Sequence, residues 1–233
     1  MADRFTSRGH AAARFVAQRV ILKRLVWSLT RVTTVGSERL DGLSGAFIVV
    51  ANHSSHLDAP LITGGLPRHL ARYLAAGAAA DYFFDVWWRK GLTALFFNAF
   101  PVDRSGSGKR AGLSRQLLER GVPLLVFPQG GRAKTEIIQG FKPGAAALSI
   151  AVGVPCVPIA LVGAGRAMPR GVNWPLRGRK PVAIVFGSPL RADPNETAAQ
   201  FSERLANAVR GMYDEYSESI SSGGSETQAG KGR

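Results

Sequence analysis

Apolar residues gather along this chain in short runs that alternate with segments of helical period. Residues 47–51, 124–127, 156–162 and 182–186 are near-continuous apolar runs of strand length. Residues 32–35, 72–75 and 100–103 read as three further strands. Between these runs, 57–64, 87–98, 110–120, 144–152 and 196–216 carry the pattern of helices. Apolar strands interleaved with helices predict an α/β fold, with a mixed, largely parallel sheet flanked by helices. In such sheets the functional groups collect in loops beyond the C-terminal ends of the strands.

The first 35 residues form a basic leader of helical period. Ile21, Leu22, Leu25, Val26 and Leu29 share one side of a helical wheel, and Arg19, Lys23, Arg24 and Arg31 fall on the other. Val16, Val20 and Trp27 blur that division. The leader holds seven basic residues against one acid, Asp3. Such a segment suits either a membrane interface or a helix packed on the core with a solvated basic rim. It lacks the pattern of a cleavable signal, because its arginines interrupt any apolar region. The reading divides the chain into a leader over 1–35, a domain over 36–216 and a Ser/Gly/Glu-rich tail over 217–233, expected to be disordered.

Residues 143–165 run for 23 positions without a charge, long enough to span a bilayer. The run contains Pro155 and Pro158 with Gly153 and Gly163. It also changes from alanine-rich to β-branched midway. It therefore reads as a helix, a turn and a buried strand.

Composition narrows the partners. A net charge of +14 over 233 residues, with a hydrophobic content of 45%, describes a globular protein that meets anions. Nucleic acid, acidic lipid headgroups and phosphorylated substrates all qualify. No nucleic-acid motif is present, and the basic residues are not interleaved with aromatics on a binding strand, so nucleic acid is not expected. The single cysteine, Cys156, permits no intramolecular disulfide.

Three polar clusters sit at predicted strand ends. The first is Asn52-His53-Ser54-Ser55-His56-Leu57-Asp58. A carboxylate bonded to Nδ1 of His53 would fix the imidazole tautomer and leave Nε2 to take a proton from a hydroxyl. His56 is two residues from Asp58, and on a helix the two would point apart. The second cluster is Phe100-Pro101-Val102-Asp103-Arg104. The third is Phe127-Pro128-Gln129-Gly130-Gly131-Arg132, whose glycines allow close backbone approach and whose arginine suits phosphate.

Other chemistries compete for the first cluster. His53, His56 and Asp58 could ligate a metal, but only His10 and His69 remain as further imidazoles, without ligand spacing. A structural histidine at a strand end is the plain alternative. A serine nucleophile on Gly-x-Ser-x-Gly is absent, because Gly42-Leu43-Ser44-Gly45 lacks the spacing. Gly106-Ser107-Gly108-Lys109-Arg110 is not a P-loop.

The ordered set resembles the glycerolipid acyltransferases, the family of 1-acylglycerol-3-phosphate acyltransferases with a His-x4-Asp motif. His53 and Asp58 match that motif. The segment ending in Arg104 is similar to the family's second motif, 127–132 to its Phe-Pro-Glu-Gly-Thr-Arg motif, Phe141-Lys142-Pro143-Gly144 to its continuation, and Val157-Pro158-Ile159 to the fourth. The likeness covers about residues 32–190. It implies a general base, His53, with Asp58 as its partner. It implies that Arg104 and Arg132 hold an acceptor phosphate, with Gln129, Gly130 and Gly131 beside them. It also implies that Val157, Pro158 and Ile159 help form the acyl-donor site.

Acyl-CoA or acyl carrier protein would be the co-substrate and a lysophospholipid the acceptor, with no cofactor or metal. The protein would sit on an anionic membrane surface, peripheral or monotopic, at the cytoplasmic face. Two departures stand out: Gln129 replaces the family's glutamate and Gly131 its threonine. They leave a glycolipid or another lipid alcohol open as acceptor. The apolar segment over 86–97 could bind acyl chains or serve as core. A second basic region (Arg166, Arg170, Arg177, Arg179, Lys180 and Arg191) fits an anionic donor or surface.

Overall fold

The computed structural model describes residues 5–79, 98–102, 111–133 and 137–222. Seven strands form one sheet: β1 (Arg31–Val35), β2 (Ile48–Ala51), β3 (Ala75–Ala79), β4 (Phe100–Val102), β5 (Leu124–Val126), β6 (Cys156–Val162) and β7 (Pro181–Phe186). Their order is β1-β7-β6-β2-β5-β3-β4. Every neighbouring pair is parallel except β6 with β7. The mixed, largely parallel sheet flanked by helices is therefore the observed fold.

Side chains alternate across the sheet and feed two cores. Val49 and Ala51 of β2 face a layer containing Val26, Leu61 and Ile62. Ile48 and Val50 face the opposite way, toward Ala145, Ala146, Phe201 and Leu205. The first layer is α1 (Arg8–Phe15), a π-helical turn (Val16–Leu22), α2 (Lys23–Leu29) and α3 (Asp58–Gly65), followed by the short α4 (Arg68–Ala71). The second is α5 (Ala111–Glu119), α6 (Gly144–Val152) and the long α8 (Ala198–Ser222), while α7 (Ala164–Ala167) follows β6. In α8, Phe201, Leu205 and Val209 recur every four residues and are at most 1% exposed. Each such burial stabilises the fold by roughly 1.5–3 kcal/mol. The helix begins at a reciprocal cap: Gln200 Oε1 accepts from Thr197 N–H (2.9 Å), and Thr197 Oγ1 accepts from Gln200 N–H (3.3 Å).

Several expectations shift. The third strand lies at Ala75–Ala79, not over 72–75. Pro67 opens a helical turn over Arg68–Ala71, and the alanine-rich segment after it pairs with both β5 and β4 despite its weak β preference. Residues 143–165 do form a helix, a turn and a strand, and no helix among the described residues is long and apolar enough to cross a membrane. Residues 217–222, assigned to a disordered tail, continue α8. The helix expected over 87–98 (save Asn98), the apolar segment over 86–97 and Arg104 lie outside the described residues.

The leader packs differently from its wheel. Its last five residues are β1, hydrogen-bonded to β7 as an edge strand. Val26 is buried, but Val16, Val20, Ile21 and Leu25 face outward, between 41% and 57% exposed. Two basic side chains, Arg19 and Lys23, turn inward instead, while Arg24 and Arg31 stay exposed. Arg19 donates to the carbonyls of Gly64 (2.8 Å) and Leu66 (2.5 Å), and Lys23 Nζ to Gly64 (2.8 Å). These carbonyls end α3, where cations offset both the unpaired oxygens and the helix dipole. Desolvation, then the neighbouring Arg19 and Arg68, hold the Lys23 pKa below its ordinary value.

Candidate active site

The strand order creates a cleft. β2 lies between β5 and β6 and is parallel to both, so the three strands end at the same edge of the sheet. The loops over 52–58, 127–133 and 163–170 therefore meet there, the arrangement open parallel sheets use for ligands. The cleft is about 280 Å³, with Asn52, His53, Gln129, Arg166 and Arg170 on its walls.

His53 Nδ1 lies 2.7 Å from Asp58 Oδ2, and the two side chains are 22% and 0% exposed. The same oxygen accepts from the main-chain N–H of Ser54 (2.6 Å) and of Ser55 (2.9 Å). Three donors hold the carboxylate at the first turn of α3, where the helix dipole favours an anion. The chain reaches that turn through Ser55, whose hydroxyl donates to Met168 O (2.9 Å) and accepts from Leu57 N–H (3.2 Å). The His53 ring stacks on Phe127, centroids 4.1 Å apart and planes at 16°. An ionised Asp58 requires a proton on Nδ1, so Nε2 carries the lone pair.

The main chain around His53 is tied to both neighbouring loops. Gln129 Oε1 accepts from His53 N–H (2.7 Å), and His53 O accepts from Ala133 N–H (2.8 Å). On the other side, Asn52 Nδ2 donates to Leu161 O (2.9 Å) and its Oδ1 accepts from Leu161 N–H (2.8 Å). Asn52 is buried, so these bonds extend the β2–β6 pairing past the end of β2. Each of the two is worth about 1 kcal/mol, and more is lost if a partner is left unpaired.

The remaining sequence candidates divide. Gln129 faces the cleft, but its oxygen is engaged by the His53 main chain. Gly130 has φ 78°, which favours glycine, and a Cβ there would sit 3.1 Å from Lys142 Nζ, the movable end of a flexible side chain. Gly131 has open space around its Cα. Arg132 is half-buried and is not among the residues that line the cleft. Its charge reaches His56 at the rim: partial desolvation first, then Arg132, then His53 hold the His56 pKa below its ordinary value.

Val157, Pro158 and Ile159 are fully within the sheet, paired with Val49, Val50 and Ala51. All three are buried in the core of the sheet. Cys156 is also buried, and burial pushes its thiol up to about 12, so it stays protonated.

The resemblance pointed to neither Arg166 nor Arg170 as cleft residues, nor to Phe127 as the ring beneath His53. The arginines were legible only as charge. That they belong to the site follows from β6 lying next to β2, which the sequence order of the strands conceals.

With this geometry established, the comparisons decide the family. The profile of the family described as Acyltransferase matches residues 31–162, more than half the chain. The chain belongs to the acyltransferase family. It is 34% identical over 182 residues to a 1-acyl-sn-glycerol-3-phosphate acyltransferase of Chlamydomonas reinhardtii, covering 77% of this chain and 52% of that protein. A chloroplastic 1-acyl-sn-glycerol-3-phosphate acyltransferase of Arabidopsis thaliana is 41% identical over 95 residues, 39% of this chain and 26% of its own length. This family member thus spans about half the length of the Chlamydomonas relative, and less of the Arabidopsis one. The crystal structure of the 1-acyl-sn-glycerophosphate acyltransferase PlsC of Thermotoga maritima shares the fold, with a TM-score of 0.68 at 22% identity over 91% of this chain and 85% of that one.

Proposed function

We propose that this protein is a membrane-associated O-acyltransferase. It moves a fatty acyl group from acyl-CoA or acyl carrier protein to the free hydroxyl of a lysophospholipid such as 1-acylglycerol 3-phosphate, a step of phospholipid biosynthesis. The observation that carries the reading is the His53–Asp58 pair, 2.7 Å apart at the edge of a cleft in an acyltransferase-family chain. The acceptor hydroxyl gives its proton to His53 Nε2 as its oxygen bonds to the thioester carbonyl carbon. Asp58 stabilises the imidazolium that forms. Collapse of the tetrahedral intermediate breaks the C–S bond, and the imidazolium returns its proton to the leaving thiolate. No covalent acyl-enzyme is formed.

The test is transfer of labelled acyl groups to a panel of acceptors, with acyl-CoA and acyl carrier protein in parallel. The panel holds lysophosphatidate, a neutral monoacylglycerol and a glycolipid alcohol. Lysophosphatidate is expected to be acylated fastest. Preference for the glycolipid would reassign the acceptor, and thioester hydrolysis with no ester product would overturn the reading.

The outward row of Val16, Val20, Ile21 and Leu25 supports docking on an anionic leaflet, as does the net charge of +14. The double variant Ile21→Asp/Leu25→Asp alters exposed positions only. It is expected to lower co-sedimentation with phosphatidylglycerol-containing vesicles by about tenfold or more. Unchanged sedimentation would remove the leader from the membrane contact.

A further inference from the structure

We propose that Arg166 and Arg170, on the loop after β6, form an anion subsite of the cleft that holds the phosphomonoester of the acceptor. This rests on the acyl-transfer reading and adds a binding role for two residues outside the motifs that carry the resemblance.

Placement comes first. Both arginines line the same small cleft as His53, and both are exposed. Arg132 does not line it. Among the described residues, the cleft wall carries no carboxylate: the lining position that holds glutamate in the resembling family is Gln129, and the charge of Asp58 lies behind His53, engaged by three donors. The described part of the wall is therefore net positive next to the base, and a planar guanidinium pair suits a phosphate better than point charges would.

The loop is also held in place. Gly163 has φ 80°, and a Cβ there would meet Pro181 O at 2.5 Å, so the chain turns sharply as it leaves β6. Ala164 and Ala167 are fully buried. Met168 O accepts from Ser55 Oγ (2.9 Å), and Leu176 N–H donates to Ala167 O (2.8 Å). The first of these bonds joins the arginine loop to the segment between His53 and Asp58.

Size and distance bear on whose phosphate this is. A cleft of about 280 Å³ is at the small end for ligand sites and suits a glycerol phosphate head. In 1-acylglycerol 3-phosphate the phosphate is borne by the carbon next to the one carrying the reacting hydroxyl. In a pantetheine thioester the nearest phosphate lies a full arm's length from the reacting carbonyl. Cations sharing a small cleft with the base match the first distance, not the second.

The test uses the full chain with the double variant Arg166→Gln/Arg170→Gln, its fold checked by circular dichroism. KM for lysophosphatidate is expected to rise about 10–100-fold, the loss from removing charge-assisted bonds to one phosphate. KM for the acyl donor should stay within about twofold of wild type. A rise in donor KM with acceptor KM unchanged would assign the arginines to the donor's phosphates and overturn the proposal. No change in either would overturn it too. Direct titration with glycerol 3-phosphate, followed by calorimetry, separates the subsite from the activity. If wild-type protein transfers no acyl group yet binds this phosphate, and the double variant does not, the subsite stands and the activity reading falls. Absence of binding by the wild type, or full binding by the variant, overturns the subsite.

Discussion

Replacing His53 with alanine is expected to lower kcat by about 10⁴-fold, the upper range for loss of a positioned general base. The reason is specific to the geometry. An alcohol near its ordinary pKa attacks a thioester slowly unless its proton is removed as the bond forms, and Nε2 of a ring tied at Nδ1 is the group placed to remove it. The fold should survive the change. The side chain is 22% exposed, and its loss removes the Phe127 contact and one of three donors to the buried Asp58 carboxylate while two main-chain donors remain, so about 1–3 kcal/mol of stability is at stake. Steady-state turnover measured beside a thermal melt checks both halves. Turnover near wild type in a folded His53→Ala protein would sink the base assignment.

Replacing Asp58 with alanine is expected to damage fold and activity together. Its carboxylate is fully buried and accepts from Ser54 N–H, Ser55 N–H and His53 Nδ1. Truncation leaves two main-chain donors of a buried loop unpaired, a cost of about 3–5 kcal/mol. It also frees the imidazole to adopt the other tautomer and to rotate. The informative partner is Asp58→Asn, which keeps an oxygen for the main-chain donors and loses the charge that stabilises an imidazolium. Asparagine should recover most of the denaturation midpoint but leave kcat about 10³–10⁴-fold below wild type. Recovery of both together would make the carboxylate a purely structural brace.

The sequence was most legible where one physical signal dominated. The runs behind β2, β5, β6 and β7 are apolar enough that burial decided them, and each lies within about one residue of its expected place. β3 was misplaced because Ala-Ala-Gly-Ala-Ala carries no β signal of its own; its neighbours in the sheet determine it. The side-chain directions of the leader differ from the wheel for a related reason. A helical wheel assigns polar residues to water, yet Arg19 and Lys23 found better partners in the open carbonyls at the end of α3, which left apolar residues facing outward. Val157, Pro158 and Ile159 show that a family motif can mark a core strand. Arg166 and Arg170 needed the strand order, a long-range property that spacing does not encode.

The bonds at His53 have a consequence for changing what this protein accepts. Its N–H belongs to Gln129 and its carbonyl to Ala133, so the 127–133 loop is bonded directly to the residue that carries the base. Redesign of that loop toward a different acceptor would displace the reacting nitrogen along with the binding surface, and selectivity would be gained at the expense of rate. The β6 side is bonded to the same segment too, through the Ser55 hydroxyl on Met168 O and the two bonds between Asn52 and Leu161. On the acyl-transfer reading, both walls that would choose the acceptor are bonded to the segment that carries His53, so a redesign on either side has to preserve those bonds to keep the base in place.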